Sequence, residues 1–406
     1  MRDAEDDPVC YVLGVGSQIG LSIIREVGQA SVRVIALATS CDDLGLESRY
    51  AVAGEIVSHV GNPEGIDEIR NIGFRYGRGY LIAISEQHIR WLIEHKDEFG
   101  LIVPIVPRKE AFEAVLDKER TLILANALGI STPASIAPIT LDEFKRAGAT
   151  IGYPVVLKWR DPNVVGPLLR DAGIPLLKAE YIYSDSDLAL TGERYASVGT
   201  WPLVQEYCPG RGFGQFFLIR NGVAERIFQH VRIAEWPPEG GFSSVCEGVS
   251  LRHFSKLQEQ SIRLLREIGW EGVAMVEYRY DDRTDRFVLM EVNGRFWGSY
   301  PLAYYSGAQF ALALFHSAAG VTPKPVGGLK EAIRCRSVLG EMKRLHRIIF
   351  QREKIRDRGF QVDVSCELIR FVRDFIRPNV RYYVWSIRDP WPFWRDVLNG
   401  IKRFIS

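Results

Sequence analysis

The chain has 406 residues, 47% of them hydrophobic and 25% charged, with a formal net charge of +1. That length exceeds the roughly 250–300 residues that one hydrophobic core organises, and it predicts two or three packed domains. The balanced charge excludes a disordered chain and a globally basic nucleic-acid binder, and no apolar run is long enough to span a bilayer.

The first residues, Met1 to Asp7, are acidic and polar, unlike a signal peptide. Six cysteines (Cys10, Cys41, Cys208, Cys246, Cys335, Cys366) stand singly, without a CxxC pair. That usage suits a reducing cytoplasm better than a zinc or disulfide framework.

The elements begin with an apolar strand at Val9 to Leu13 and a Gly-rich turn, Gly14-Val15-Gly16-Ser17-Gln18-Ile19-Gly20. A helical repeat over Leu21 to Val27 and strands at Val32 to Leu37, Tyr80 to Ile84 and Leu101 to Pro104 follow. Short apolar strands alternating with helices predict a parallel sheet. The turn misses the GxGxxG spacing and no acidic residue directly follows the second strand, so a tight βα turn is favoured over a dinucleotide site.

From about residue 116 the pattern changes. Helices are expected at Lys118 to Leu128 and Leu141 to Ala147, and strands at Pro154 to Trp159 and Trp201 to Tyr207. A hairpin is expected around Asn221-Gly222, a helix at Phe254 to Ile268, and a second hairpin joining Val273 to Tyr280 with Phe287 to Val292. His88, His95 and His253 lack metal-ligand spacing and read as ordinary core or surface residues.

The chemistry concentrates in the second hairpin. Residues two apart in a strand share a face, so Glu291 and Asn293 point together, and Arg295 extends the row. If the hairpin closes over Asp282 to Asp285, Glu277 lies nearly opposite Glu291. Val276, Tyr278, Met290 and Val292 then face a core. Two carboxylates and an amide oxygen suit Mg²⁺ or Mn²⁺ shared with phosphates, and a neighbouring Arg can neutralise a transferring phosphoryl group. The plainer alternative is a solvated acidic hairpin.

Glu277, the spacer hairpin and Glu291-Val292-Asn293-Gly294-Arg295 resemble the metal-binding signature of the ATP-grasp superfamily. The likeness is to the group of the carbamoyl-phosphate synthase large subunit, biotin carboxylase and D-aspartate ligase, and it covers roughly residues 10–320. Asp117-Lys118 and its helix, Pro154-Val155-Val156-Leu157-Lys158, and Leu203-Val204-Gln205-Glu206-Tyr207-Cys208-Pro209-Gly210 resemble further parts of that fold in the same order.

The resemblance implies an α/β ATP-grasp fold with four parts. They are a Rossmann-like domain (1–115), a small lid lobe (116–203), a large lobe with the metal row (204–328) and a basic, aromatic, helical C-terminal extension (329–406). It further implies that Lys118 and Lys158 contact ATP phosphates and that the backbone near Gln205, Glu206, Tyr207 and Cys208 pairs with adenine. Glu277, Glu291 and Asn293 hold Mg²⁺, and Arg295 stabilises the transferring group. Arg232, in a segment ending Gly240-Gly241-Phe242-Ser243, either faces phosphates or the acid substrate, or forms a surface ion pair with Glu235.

Two places depart from the pattern. The segment after Lys158, Trp159 to Pro167, has one glycine where a Gly-rich covering loop is usual, so Gly212 to Gly214 are candidates for part of that cover. Phe213, Gly214 and Gln215 stand where relatives carry an acidic ribose ligand.

The implied activity is an ATP-dependent carboxylate–amine ligase working through an acyl phosphate on an amino acid or other small carboxylate, with a homo-oligomer as one possible assembly. A kinase-like phosphotransferase and a non-catalytic ATP-binding protein are the alternatives. No nucleic-acid partner is expected. Residues 331–406 carry 17 Lys and Arg against 9 Asp and Glu. Their aromatics suit either a cap packed on the catalytic lobes, which Pro378, Pro390 and Pro392 favour, or contact with an anionic membrane surface.

Overall fold

A computed structural model describes residues 7–323 and 327–405, with the side chains of 403–405 outside that description. The acidic start, Met1 to Asp6, therefore lies outside the described residues.

The first part alternates β1 (Val9–Leu13), α1 (Gln18–Gln29), β2 (Val34–Ala38), β3 (Ala53–Ile56), α2 (Pro63–Tyr76), β4 (Gly79–Ala83), α3 (Glu86–Glu94) and β5 (Ile102–Pro104). The strands pair in parallel in the order β3-β2-β1-β4-β5. β1 and β2 are buried throughout, which explains why they read as unbroken apolar runs rather than alternating ones. Ser17 and Ser85 cap α1 and α3, their hydroxyls accepting from the N–H groups of Ile19 and His88. Both helices thus start at the carboxyl ends of β1 and β4, the edge where open α/β sheets bind ligands.

Two helices, α4 (Lys109–Leu116) and α5 (Lys118–Ala127), lead into a four-stranded antiparallel sheet. It contains β6 (Ser135–Ile136), β7 (Val155–Lys158), β8 (Glu180–Ile182) and β9 (Leu203–Glu206), in the order β6-β9-β7-β8. Between them lie α6 (Leu141–Ile151), α7 (Pro162–Asp171) and α8 (Asp185–Ala196). This lobe has its own core around Phe144, Leu157, Trp159, Leu188 and Tyr195.

The main sheet is built on two long strands, β10 (Arg211–Arg220) and β11 (Val223–Trp236), turning at Asn221 (φ 49°) and Gly222 (φ 72°). Positive φ at both positions is what a two-residue primed turn needs, as the Asn-Gly pair predicts. Then come β12 (Phe242–Gly248), α9 (Ser255–Ile268), β13 (Gly272–Asp281), β14 (Arg286–Asn293), α10 (Tyr300–Ser306) and α11 (Phe310–Ala318).

The C-terminal extension is mostly helical, with α12 (Val338–Phe350), α13 (Val364–Arg373) and α14 (Trp391–Ile405). It also holds two strands that the sequence reading did not anticipate, β15 (Arg334–Arg336) and β16 (Val380–Tyr382). They complete the seven-stranded order β14-β13-β10-β11-β12-β15-β16. Three-residue strands carry too little pattern to show in a sequence; β15 forms by pairing with the β12 edge, and β16 by pairing in parallel with β15. The extension also reaches the first domain. Asp389, fully buried, bonds Arg25 of α1 at 2.9 Å and accepts from the Ser48 hydroxyl.

Candidate active site

The site is built around the β13–β14 pair. Glu277 lies directly opposite Glu291, Val276 opposite Val292, and Met275 opposite Asn293. Val276, Tyr278 and Val292 point into the core, while Met275, Glu277, Glu291 and Asn293 line a cleft. The register then slips, so that Tyr278 pairs with Leu289 and Met290 is the extra residue. This bulge corrects one expectation: Met290 faces the cleft, and its sulfur lies 3.8 Å from the Lys158 ammonium.

The acidic row is held by cations. Arg232 donates to Glu277 at 2.6 Å, to Glu235 at 2.8 Å and to the Gly241 carbonyl at 3.1 Å. It is a buried hub rather than a surface ion pair. Burial opposes its charge, but Glu277 and Glu235 raise its pKa further above the ordinary arginine value. Gly212 makes the room, since a Cβ there would meet the Arg232 side chain at 2.5 Å. Gly212 and Gly214 are therefore β10 residues with a packing role, not part of a covering loop.

Lys118, at the start of α5, approaches Glu291 to 3.8 Å. Burial pushes the Glu291 carboxyl up, yet Lys118, Lys178, the Asn293 amide and Lys158 outweigh that and hold it well below the usual carboxylate range. Asn293 donates to Glu291 at 3.1 Å. Arg295 donates to Glu86 at 2.9 Å and lies 3.4 Å from the Asn293 carbonyl. Glu86 also accepts from Asn163 of α7 at 3.2 Å. One carboxylate of the first domain thus ties the lid lobe to the Glu291–Asn293–Arg295 row.

Lys158 closes the row at the end of β7. Burial pushes its ammonium below the ordinary lysine value, against the pull of Glu291 and Glu277. A half-buried ammonium whose nearest bonded atom is a thioether is suited to a bound anion. Glu206, Tyr207 and Cys208 line the same cavity of about 430 Å³. Gln205 does not: its side chain is buried and bonds the Ser135 hydroxyl. Burial pushes the Cys208 thiol up to about 11, which suits an apolar wall rather than a nucleophile.

The segment after Lys158 folds as α7, capped by Asp161, instead of a glycine loop. The cavity is covered instead by Leu176 to Ala179 and by Glu239 to Gly241, where the Tyr181 hydroxyl bonds the Glu239 carbonyl at 2.9 Å.

A second cavity of about 490 Å³ opens from the same acidic row toward Ile19, Ser85, Gln87, Gly298 and Ser299. Glu86 and Lys178 border both cavities and were not singled out by sequence reasoning. Glu86 was detectable as the residue after a helix cap at a strand's carboxyl end, whereas Lys178 carries no local signal.

Among the described residues, no three His, Cys, Asp or Glu side chains cluster as a metal site. The row offers two carboxylates and an amide oxygen, a hard and incomplete donor set that leaves positions for phosphate oxygens and water, as Mg²⁺ prefers.

A two-lobed cleft with this row on one wall, a lysine strand opposite and a hinge strand beside it is a known architecture. The chain has the ATP-grasp fold. Residues 246–322 match the family described as the carbamoyl-phosphate synthase L chain, ATP binding domain. A D-alanine–D-alanine ligase of Bartonella henselae is 23% identical over 185 residues, covering 44% of this chain and 57% of that relative. The match thus spans a little over half of the relative's length.

Solved structures support the same ATP-grasp architecture over most of the chain. A biotin carboxylase from Campylobacter jejuni superposes with a TM-score of 0.63 at 16% identity, covering 81% of this chain and 74% of that one. The biotin carboxylase domain of the Hydrogenobacter thermophilus 2-oxoglutarate carboxylase, solved with MgADP and bicarbonate, gives 0.60 at 15% identity, covering 80% and 73%.

Proposed function

We propose that this ATP-grasp chain is an ATP- and Mg²⁺-dependent carboxylate–amine ligase that acts on small molecules. The observation that carries the reading is the Glu277–Glu291–Asn293 row shared by two cavities, one running to the hinge and the other to the first domain. A nucleotide fits the first, with Lys118 and Lys158 on its phosphates and the backbone of Glu206 to Cys208 on the purine. The second takes the acid and amine substrates.

Glu277, Glu291 and Asn293 would hold Mg²⁺, which when bound would neutralise charge on neighbouring phosphates. In the proposed reaction a substrate carboxylate oxygen attacks the γ-phosphorus, the bond to the bridging oxygen breaks, and ADP leaves. The amine then attacks the acyl carbon, losing a proton as phosphate departs. Arg295, fixed by Glu86, is placed to balance charge on the transferring group. Lobe closure protects the mixed anhydride from water. The D-alanine–D-alanine ligase relative supports an amino acid as the carboxylate.

The test measures ADP release with pooled amino acids, each alone and in pairs, alongside mass analysis of products. A ligase turns over fully only with both substrates and yields a condensed product. Turnover with one substrate and a phosphorylated product identifies a kinase-like enzyme instead.

A further inference from the structure

α13 presents its apolar side to solvent, and the neighbouring α12, which buries Leu345 and Ile348, leaves further apolar side chains exposed. On α13 and the turn after it, Leu368, Ile369, Val372, Phe375 and Ile376 form one stripe at helical spacing, with Ile369 and Val372 64% exposed and Ile376 82%. None of the residues of α13 is buried. Its inward face is ionic. Glu367 pairs with Arg344, Arg370 with Glu341, and Asp374 with Arg334. An amphipathic surface helix ordinarily faces the other way, apolar side in.

α12 adds exposed apolar side chains of its own. Met342, Ile349 and Phe350 are exposed beside the exposed Lys343 and His346, Phe350 at 72%. Exposed apolar side chains gathered on two helices packed together mark an interaction site.

Charge distinguishes the occupants. The carboxylates nearest α13 are engaged away from the stripe: Glu341, Glu367 and Asp374 in the pairs above, and Asp363 capping the Cys366 N–H. Arg373 stays exposed along the stripe's margin. A second copy docked by two-fold symmetry would set this cationic face against itself.

The chain beyond the stripe has the same character. It runs from Ile376 through β16 to the wall of a cavity of about 560 Å³ bearing Lys330, Arg381, Arg388, Tyr304, Tyr305 and Trp385, with no carboxylate lining it. Ile387, also in that wall, is 86% exposed. Apolar rows edged by cations and aromatics match the headgroup layer of an anionic leaflet.

We propose that the α12–α13 face docks on an anionic lipid surface, with the Leu368–Ile376 stripe entering the headgroup layer and Arg373 meeting lipid phosphate. This attachment is peripheral, since no helix among the described residues is long and apolar enough to cross a membrane.

The test sediments the full chain with vesicles of phosphatidylcholine alone and of phosphatidylcholine mixed with phosphatidylglycerol. Binding is expected to the mixed vesicles, to weaken at high salt, and to be far weaker to phosphatidylcholine alone. The double substitution Ile369→Ser/Ile376→Ser is expected to lower binding at least about tenfold, because it removes two of the most exposed apolar side chains of the stripe that would enter the leaflet. Arg373→Glu should lower it as well. Both variants should keep the parent's melting temperature, since these side chains are exposed. Three results overturn the proposal: no sedimentation with either vesicle, equal binding by parent and variants, or a dimeric parent whose variants become monomeric.

Discussion

Glu277 and Glu291 face one another across the β13–β14 pair, each held by a cation from a different element, Arg232 of β11 and Lys118 of α5. Two carboxylates this close in a half-buried cleft repel unless cations share their charge. The arrangement keeps both on the cleft wall while leaving the apolar sides of the same strands in the core. Glu291→Gln and Asn293→Ala are therefore expected to lower ATP turnover on the order of a hundredfold or more, the scale seen when one preorganised electrostatic contact is lost. Thermal unfolding should change little. Near-normal turnover at limiting Mg²⁺ in either variant would falsify the metal assignment.

Lys158 separates binding from stability. Its ammonium is half-buried, lacks a bonded carboxylate and is pushed toward neutrality by burial. Lys158→Ala should weaken ATP binding about tenfold, or about 1.4 kcal/mol, with unfolding free energy unchanged or slightly raised. Calorimetric titration with ATP and urea unfolding on the same preparation check this. Unchanged affinity would remove the lysine from the nucleotide site.

The Arg25–Asp389 pair joins the first domain to the C-terminal extension with both side chains almost fully buried, at 1% and 0% exposure. Removing one partner strands the other charge. Asp389→Ala is expected to cost about 3–5 kcal/mol of unfolding free energy. Deleting residues 331–406 also uncovers the β12 edge, so the shortened chain should be insoluble or inactive. A soluble, fully active truncation would show that the extension is dispensable to the fold.

Glu26 gives the stability a pH dependence. Burial pushes its carboxyl up to about 7 from an ordinary 4.5, although it accepts from the Leu312 N–H and the Tyr300 hydroxyl. Below pH 4.5 folded and unfolded chains both hold the proton. As pH rises toward 7 the unfolded chain loses it first, so the folded state binds more protons and stability falls. The loss attributable to this group is on the order of 3 kcal/mol, complete above pH 7. Glu26→Gln should flatten that slope. Urea midpoints at pH 4.5, 6 and 8 for parent and variant provide the comparison, and parallel curves would exclude Glu26 as the source.

Much of this was legible in the sequence because it is local. β1 runs from Val9 to Leu13 as its apolar run indicates, and Asn221-Gly222 turns the β10–β11 hairpin because those residues tolerate positive φ. Period-two alternation and the turn at Asp282 to Asp285 were enough to set Glu277 across from Glu291. Only the tertiary structure decided the rest. The bulge that swings Met290 to Lys158 is a one-residue slip that alternation does not encode. Glu86 meets Arg295 across 209 positions, and Asp389 meets Arg25 across 364. β15 exists because β12 offers an edge to pair with, β16 because β15 then offers the next one, and the reversed amphipathic face of α13 follows from ion pairs with α12 and β15. A strand or turn is chosen by energies within a few residues, whereas these contacts depend on how whole lobes pack, and no short window of sequence carries that.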